Sequence, residues 1–148
     1  VLRYFNVYGP RQDPSSPYSG VISIFMTNAL LNEPAVIYGD GKQSRDFIFV
    51  QDVVRANLLA AATQGVGGQV INIGSGKSVA INQLWKTICS LSGQNIKPEY
   101  APRRAGDIVE SLADAGRAKE LLDFECETSF EAGLKSTFEW YRSQRSNT

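Results

Sequence analysis

The chain has 148 residues, of which 43% are hydrophobic and 20% are charged, and its 15 basic and 15 acidic side chains cancel to a formal net charge of zero. This length suits one domain with a sizeable core, and the balanced charge gives no support to nonspecific binding of nucleic acid or anionic membranes. Histidine is absent, which excludes imidazole catalysis and histidine metal ligands, and we predict no metal site.

No apolar run approaches the roughly 20 residues of a membrane span, and the first residues lack the pattern of a signal peptide. Cys89 and Cys126 are far apart and match no metal or redox spacing. We predict reduced, partly buried thiols, which points to a cytoplasmic protein. The chain starts at Val1 in an apolar, strand-like run, so we also predict that it is a fragment of a longer polypeptide.

The first half of the chain predicts alternating strands and helices. In chain order these are a strand at 1–8, a helix at 18–32, a strand at 35–38, a β-rich run at 47–50 and a helix at 53–63. Gly9-Pro10 ends the first strand and Pro34 ends the first helix. Asp52 is the predicted N-cap of the second helix, because a side-chain carboxylate there can accept from free backbone N–H groups.

The second half continues the same alternation. In chain order we predict a strand at 69–73, a helix at 80–91, a weak strand at 97–101, a short helix after Asp114 and a final helix. Thr128 and Glu131 have the spacing of a capping box at the start of the final helix. Neither internal repeats nor low-complexity tracts occur, so the sequence predicts a single α/β unit of small mixed sheets with packed helices.

Arg45 and Arg104 are the strongest candidates for ligand binding. Arg45 follows a Gly-Asp-Gly turn at 39–41 and precedes a strand, and Arg104 lies in a loop between proline and glycine. Planar guanidinium groups bind diphosphate oxygens in a bidentate manner, and binding residues concentrate in loops. We predict that both arginines converge on one diphosphate; the alternative is two surface arginines paired with Asp46 or Asp107.

Residues 74–78, with the sequence G-S-G-K-S, partly match a phosphate-binding P-loop. A P-loop needs a glycine five residues before the second glycine of this segment. That position is Ile71, inside a predicted strand. We therefore interpret the segment as a glycine turn between a strand and a helix.

Asn6 is a polar amide in a strand that otherwise carries large apolar residues such as Phe5 and Tyr8. Leaving such an amide buried without a partner costs about 1–3 kcal/mol, so we predict a hydrogen-bond partner. A ligand oxygen at the end of the strand and a neighbouring backbone group both fit this requirement.

Together these features resemble the C-terminal part of the extended short-chain dehydrogenase/reductase family, and in particular the NAD-dependent UDP-sugar 4-epimerases. The matching segments are residues 3–12, 39–41, 44–47 and 104–107, with the later pairs Ala113-Asp114, Ala118-Lys119 and Leu121-Leu122. The resemblance covers nearly the whole chain. It implies an α/β fold that forms the substrate-binding portion of a Rossmann-type enzyme.

The resemblance also implies roles for individual residues. Tyr4 is similar to a residue near the nicotinamide end of bound NAD, and Phe5 to one that faces the sugar. Asn6 resembles the amide that contacts the nucleotide-sugar diphosphate. Arg45 and Arg104 match the two arginines that bind this diphosphate.

The nucleoside end of the substrate is expected to lie against apolar residues. Val21 and Phe25 match positions that line the uridine pocket, and Asp107 matches a carboxylate that accepts from ribose hydroxyls. The positions expected to pass along the uracil are Val36, Ile37 and Tyr38.

The motifs for chemistry are not in this chain. The family holds NAD with a G-x-x-G-x-x-G loop and transfers protons with a Tyr-x-x-x-Lys pair; Tyr38 and Lys42 have this spacing but lie at the Gly-Asp-Gly turn. The resemblance therefore implies that 1–148 is a C-terminal nucleotide-sugar-binding domain, with no catalytic residue, and that NAD is bound mainly by an N-terminal Rossmann domain absent from it. The resemblance further implies that in the whole enzyme a tyrosinate removes the 4-hydroxyl proton, hydride moves from C4 to NAD, and hydride returns to the other face of the turned 4-keto sugar.

The sugar itself stays open between UDP-glucose/UDP-galactose and their N-acetyl forms. Sister enzymes such as dTDP-sugar epimerases and UDP-glucuronate decarboxylases share the same motifs, and a non-catalytic nucleotide-sugar-binding module is a further hypothesis. The third hypothesis is an α/β domain of unrelated function. We expect a UDP-hexose partner, a homodimeric full-length enzyme, and an isolated chain that is inactive and self-associates through the apolar surface near 4–8.

Overall fold

The fold was derived from a computed structural model that describes residues 1–15 and 20–145. These residues form a mixed α/β structure, which confirms the predicted fold class. Its elements are β1 (Leu2–Tyr4), β2 (Asn6–Tyr8), α1 (Val21–Leu31), β3 (Val36–Tyr38), β4 (Ser44–Phe49), α2 (Val50–Ala62), β5 (Ile71–Ile73), β6 (Ser78–Ala80), α3 (Ile81–Ser92), β7 (Glu99–Ala101), β8 (Glu110–Ser111), α4 (Gly116–Leu122) and α5 (Phe130–Arg145).

The strands form three small sheets. β1 pairs with β5 and β3 pairs with β7, both in parallel. The third sheet has β4 at its centre, parallel to β2 and β8 and antiparallel to β6. All three sheets join segments that are distant in sequence, so their pairing depends on the helices that connect and cover them.

Two apolar clusters hold these layers together. The larger one packs α1, α3 and α5 against β2, β3 and β4, and contains Phe25, Trp85 and Phe138. The smaller one packs α2 and α4 against β5, and contains Ile73 and Phe124. No helix in the described part of the chain is long and apolar enough to cross a membrane.

Several element boundaries differ from the sequence predictions. The predicted strand at 1–8 is two strands interrupted at Phe5, because β1 and β2 pair with different partners. α2 begins at Val50, three residues earlier than predicted. The start of the predicted first helix, at Tyr18 and Ser19, lies outside the described residues, and α1 runs from Val21.

Both cysteines are unpaired thiols, with Cys89 buried and Cys126 half-buried. Burial, together with the nearby Asp52 carboxylate, raises the pKa of Cys126 to about 11. The thiolate, which is the reactive form, is therefore scarce at neutral pH.

Asp52 does not cap α2, contrary to the prediction. It lies in the first turn of this helix, which follows Phe49 without a side-chain cap. Its carboxylate is only 3% exposed and accepts hydrogen bonds from the backbone N–H groups of Glu127 at 3.0 Å and Thr128 at 3.2 Å. Asp52 thus ties α2 to the segment before α5, a tertiary role that local sequence spacing does not reveal.

This contact predicts a pH-dependent stability. Burial raises the pKa of Asp52, but hydrogen bonds from Glu127, Thr128 and Cys126 together outweigh burial and lower the pKa below its ordinary value. A lowered pKa stabilises the folded state above the unfolded-state pKa, and this stabilisation is lost as the pH falls through the folded-state pKa. Urea unfolding should show that wild type exceeds Asp52→Asn in free energy of unfolding at neutral pH, and that the difference shrinks below about pH 4. A difference that stays constant across the acid range would contradict this role.

The cap of the last helix is also shifted from its predicted position. α5 begins at Phe130, and the Ser129 hydroxyl accepts from the backbone N–H of Ala132 at 3.2 Å. The capping-box prediction at Thr128 was wrong by one residue, because its backbone N–H is already bonded to Asp52.

Candidate functional site

A cleft of about 390 Å³ lies where α1, β3, β4 and the loop after β7 meet. One wall is apolar and the other carries charged side chains. The lining residues are Asn6, Val21, Phe25, Val36, Ile37, Tyr38, Gln43, Arg45, Ile81, Arg104, Ala105, Gly106 and Asp107. The two arginines, 59 positions apart, therefore share one cleft.

Arg45 projects from β4, and only 16% of its side chain is exposed. Its Nη2 donates to the Asp107 carboxylate at 2.6 Å, and its Nη1 donates to the backbone oxygen of Ile108 at 2.7 Å. The sequence left open whether Arg45 pairs with Asp46 or Asp107. The structure pairs it with Asp107, and both side chains line the cleft. The guanidinium group holds the loop after β7 against the central sheet.

Arg104 enters the cleft from that same loop. Its guanidinium carbon lies 3.7 Å from the centroid of the Tyr38 ring, a distance at which a cation is attracted to the ring face. Arg103 donates from Nη2 to the backbone oxygen of Asp107 at 2.9 Å, which restrains the loop from outside. The contact with Tyr38 directs Arg104 toward β3.

The charged wall combines two guanidinium groups with one carboxylate, and so has a local excess of one positive charge. Arg45 and Arg104 can donate to phosphate oxygens. Asp107 can accept from hydroxyl groups. Opposite them, Val21 and Phe25 of α1 offer an apolar surface. This arrangement suits an elongated ligand with phosphates at one side and a flat, uncharged group beside them.

Asn6 lines the cleft while its Nδ2 donates to the backbone oxygen of Asp46 at 2.8 Å. Of the two partners left open by the sequence, the structure provides the backbone group. The amide therefore pins β2 to β4 at the edge of the site.

Tyr4 and Phe5 do not line the cleft. Tyr4 is 44% exposed, and its hydroxyl donates to the Asn57 side-chain oxygen at 2.8 Å. The backbone N–H of Phe5 donates to the oxygen of Ile73. Both residues lie near the β1–β5 pair, away from the two arginines.

Four lining residues were absent from the sequence-based set: Gln43, Ile81, Ala105 and Gly106. Ala105 and Gly106 lie within the 104–107 segment that carried the resemblance, and Gln43 lies between its 39–41 and 44–47 segments. These positions could have been found from their neighbours. Ile81 begins α3 and lies beside Gln43, whose backbone oxygen accepts from the Ile81 N–H at 3.0 Å.

The glycine turn at 74–76 is filled by a side chain of the protein itself. The buried carboxylate of Asp46 accepts from the N–H and hydroxyl of Ser75, each at 2.7 Å, from Gly76 N–H at 2.9 Å and from Ala113 N–H at 3.1 Å. An internal carboxylate thus occupies the position that a phosphate would take in a P-loop. A side chain at Gly74 would place its Cβ 2.3 Å from that of Ala113, so the turn also requires glycine for close approach.

The fold and the cleft define an α/β protein in which two guanidinium groups and a carboxylate share a cleft with an apolar surface. Residues 1–74 match the model of the NAD dependent epimerase/dehydratase family, and the chain belongs to this family.

Individual relatives extend over nearly the whole chain. The crystal structure of the UDP-glucose 4-epimerase of Thermotoga maritima with UDP-glucose is 46% identical, with a TM-score of 0.92, over 98% of this chain and 46% of that one. The UDP-glucose 4-epimerase of Mycolicibacterium smegmatis is 38% identical over 94% of this chain and 44% of its own length. The UDP-N-acetyl-alpha-D-glucosaminuronate decarboxylase of Bacillus cytotoxicus is 37% identical over 96% of this chain and 46% of its own length. The chain therefore spans less than half the length of each of these relatives.

Proposed function

We propose that this chain is the nucleotide-sugar-binding part of an NAD-dependent UDP-sugar 4-epimerase. The observation that carries the proposal is the cleft shared by Arg45, Arg104 and Asp107. The likeness to two UDP-glucose 4-epimerases, one of them solved with UDP-glucose, supports UDP-hexose as the substrate class.

In this proposal each wall of the cleft holds a different part of the substrate. Arg45 and Arg104 bind the diphosphate, Asp107 accepts from the ribose, and the uridine lies against Val21 and Phe25. Backbone groups and side chains of β3 lie beside the uracil. Because the nucleotide is held at several points, the hexose beyond the diphosphate is free to turn between the two steps of an epimerisation.

We further propose that the NAD-binding part lies in polypeptide outside this chain. Two observations support this division. Among the residues that the structure describes, β1 and β5 form a two-stranded parallel sheet, whereas parallel sheets are normally larger and covered on both faces. The neighbouring helix α2 exposes Val54 and Leu58, at 53% and 67%, on one face at helical spacing. This exposed surface fits a second α/β layer, and it supports self-association of the chain when that layer is missing.

The residues described here do not form a dinucleotide site by themselves. Tyr4 is the one predicted NAD contact, and its hydroxyl is bonded to Asn57 on the surface. NAD would supply hydride acceptance and return, and the proton-transfer groups would come from the same outside part. This chain's own residues bind and orient the nucleotide, so we expect the isolated chain to be inactive and the whole enzyme to be a homodimer.

A decarboxylase or another nucleotide-sugar reaction is the second candidate. The 37% identity to a UDP-sugar decarboxylase, over a similar share of the chain, favours it. The cleft described here would serve both reactions, because it holds the nucleotide and not the reacting carbon. A non-catalytic nucleotide-sugar-binding module would use the same contacts.

The test is to express the chain together with the polypeptide encoded before Val1 and to assay interconversion of UDP-glucose and UDP-galactose, and of their N-acetyl forms. We expect the upstream sequence to contain a G-x-x-G-x-x-G loop and a Tyr-x-x-x-Lys pair, and the joined protein to interconvert one pair of UDP-hexoses. Carbon dioxide release from a UDP-uronic acid would identify the decarboxylase. Absence of turnover with every UDP-hexose would reject the epimerase proposal.

A further inference from the structure

Asn82 is a half-buried amide in the first turn of α3, outside the lining of the cleft. Its side chain makes two hydrogen bonds: Nδ2 donates to the backbone oxygen of Asp40 at 2.9 Å, and Oδ1 accepts from the Tyr100 hydroxyl at 3.1 Å. A carbonyl oxygen only accepts, so these partners fix the orientation of the amide. Asn82 therefore joins three segments, namely the Gly-Asp-Gly turn at 39–41, β7 and the start of α3.

The backbone of the turn also approaches Asn82 closely. The Asn82 N–H donates to the oxygen of Gly41 at 3.0 Å. Gly41 has a φ of +72°, and a Cβ at this position would overlap the Asn82 amide. Only glycine meets both conditions. The turn is therefore packed directly on the start of α3 and has little freedom to shift along it.

The segments that Asn82 joins are those that carry the two arginines. β3 and β7 form a sheet of their own, and Arg104 stacks on a tyrosine ring of that sheet. Arg45 belongs to the separate sheet around β4. The chain just before Arg45 is tied to α3 by the bond from the Ile81 N–H to the oxygen of Gln43 at 3.0 Å. Asn82 and Ile81 are neighbours, so one end of α3 holds both sheets.

A second tie between the arginines lies within the cleft. Arg45 donates to the Asp107 carboxylate of the loop at 2.6 Å, but it does so with the guanidinium group that a diphosphate would engage. The Asn82 amide lies outside the cleft lining, so its bonds persist when the cleft is occupied. Asn82 therefore restrains the segments that carry the arginines in the free and the bound chain alike.

We propose that Asn82 is a positioning residue for the diphosphate, which sets the separation of Arg45 and Arg104 without contacting the ligand. This inference rests on the proposed function. Two guanidinium groups bind one diphosphate best when their separation is fixed before binding, because motion that must be frozen on binding costs affinity. The bonds from Asn82 to Asp40 and Tyr100 are exposed to solvent, so their loss costs the fold little. The main effect of Asn82 therefore falls on ligand affinity.

The experiment is a set of titrations of the chain with UDP and inorganic pyrophosphate, followed by calorimetry or NMR. Asn82→Ala should weaken both ligands roughly tenfold, and Tyr100→Phe, which removes a single hydroxyl, roughly threefold. Gln83 is the matched control, an exposed amide in the same turn of α3 whose side chain bonds to Thr87 of its own helix. Gln83→Ala should bind both ligands as wild type does. Urea unfolding should show that all three variants stay folded under the conditions of the titration.

A double-mutant cycle separates positioning from a general loosening of the chain. Asn82 acts through the spacing of two arginines, so in the Arg104→Ala background the further change Asn82→Ala should leave the affinity for UDP unaltered. Equal weakening by Asn82→Ala in both backgrounds would mean that Asn82 only supports the fold, and would overturn the inference. Unchanged binding of UDP and pyrophosphate by a folded Asn82→Ala would also overturn it while leaving the proposed function standing. Failure of wild type to bind either ligand would instead reject the proposed function.

Discussion

Replacing Arg45 by alanine is expected to weaken UDP binding by roughly 30-fold or more, because a charge-assisted hydrogen-bond donor contributes about 1.5–3 kcal/mol. Arg45 also bonds to Asp107 and Ile108, so the substitution releases the loop that carries Arg104. Both effects act in the same direction. Calorimetric or NMR titration of the chain with UDP measures the loss directly.

Two variants separate the contribution of charge from that of geometry. Arg45→Lys keeps the positive charge but lacks the planar fork, and should fall between wild type and Arg45→Ala. Arg117 lies on α4 outside the cleft, and Arg117→Ala should bind UDP as wild type does. Unchanged UDP affinity in a folded Arg45→Ala would show that the cleft does not hold the diphosphate.

Replacing Asp107 separates binding of the ribose from binding of the diphosphate. Asp107→Ala removes only one of the two bonds between Arg45 and the loop; the bond to the backbone oxygen of Ile108 remains, and both guanidinium groups stay in place. We expect it to weaken UDP, whose ribose loses an acceptor, without weakening inorganic pyrophosphate. Loss of pyrophosphate binding in this variant would mean that the position of the loop, and not the ribose contact, accounts for the role of Asp107.

Replacing Asp46 by alanine is expected to lower the free energy of unfolding by about 3 kcal/mol or more. The carboxylate is fully buried and accepts from Ser75, Gly76 and Ala113. Without it, three backbone N–H groups lose their acceptor, that of Ala113 in the interior and those of Ser75 and Gly76 in partly buried hydrogen bonds, and each buried unsatisfied group is costly. Urea unfolding followed by circular dichroism measures the change.

Asp40 supplies the matched control for this prediction. Its carboxylate is exposed, lies 3.9 Å from Lys42 Nζ and accepts from the backbone N–H of Lys42 at 3.0 Å; because both contacts are exposed to solvent, Asp40→Ala should change stability by about 1 kcal/mol or less. Gly74→Ala tests the same turn from its backbone side, since the added Cβ would lie 2.9 Å from the Asp46 carboxylate, and it should also destabilise the fold. Wild-type stability of Asp46→Ala would contradict the assigned role of this carboxylate.

The sequence alone predicted most helices and the α/β class, because their signals are local. α3 shows this well: buried Leu84, Trp85 and Ile88 recur at the three- and four-residue spacing of one helix face, and its predicted range differs from the observed one by one residue at each end. Glycine and proline likewise marked turns through backbone preferences that need no distant partner. The short strands were less predictable, since three residues carry little periodic pattern.

The candidate site divides in the same way. Residue chemistry singled out Arg45 and Arg104, and the resemblance added Asp107 and the apolar wall. Neither residue chemistry nor the resemblance singled out Gln43, because its amide meets Tyr38 only when β3 and β4 are brought together. The sequence also did not show that Tyr4 lies outside the cleft, because β1 and β2 are consecutive in sequence but join different sheets.

What the sequence by itself determined is which segments become helices or turns and which side chains can bind an anion, since both follow from neighbouring residues and side-chain chemistry. Only the tertiary structure decided the partners of the buried acids. Asp46 could have faced a ligand or Arg45, and Asp52 could have capped its own helix; each instead accepts from backbone groups 29 or more positions away. The physical reason is that a buried carboxylate must be satisfied by whichever donors packing brings beside it, and that choice depends on contacts no local pattern records.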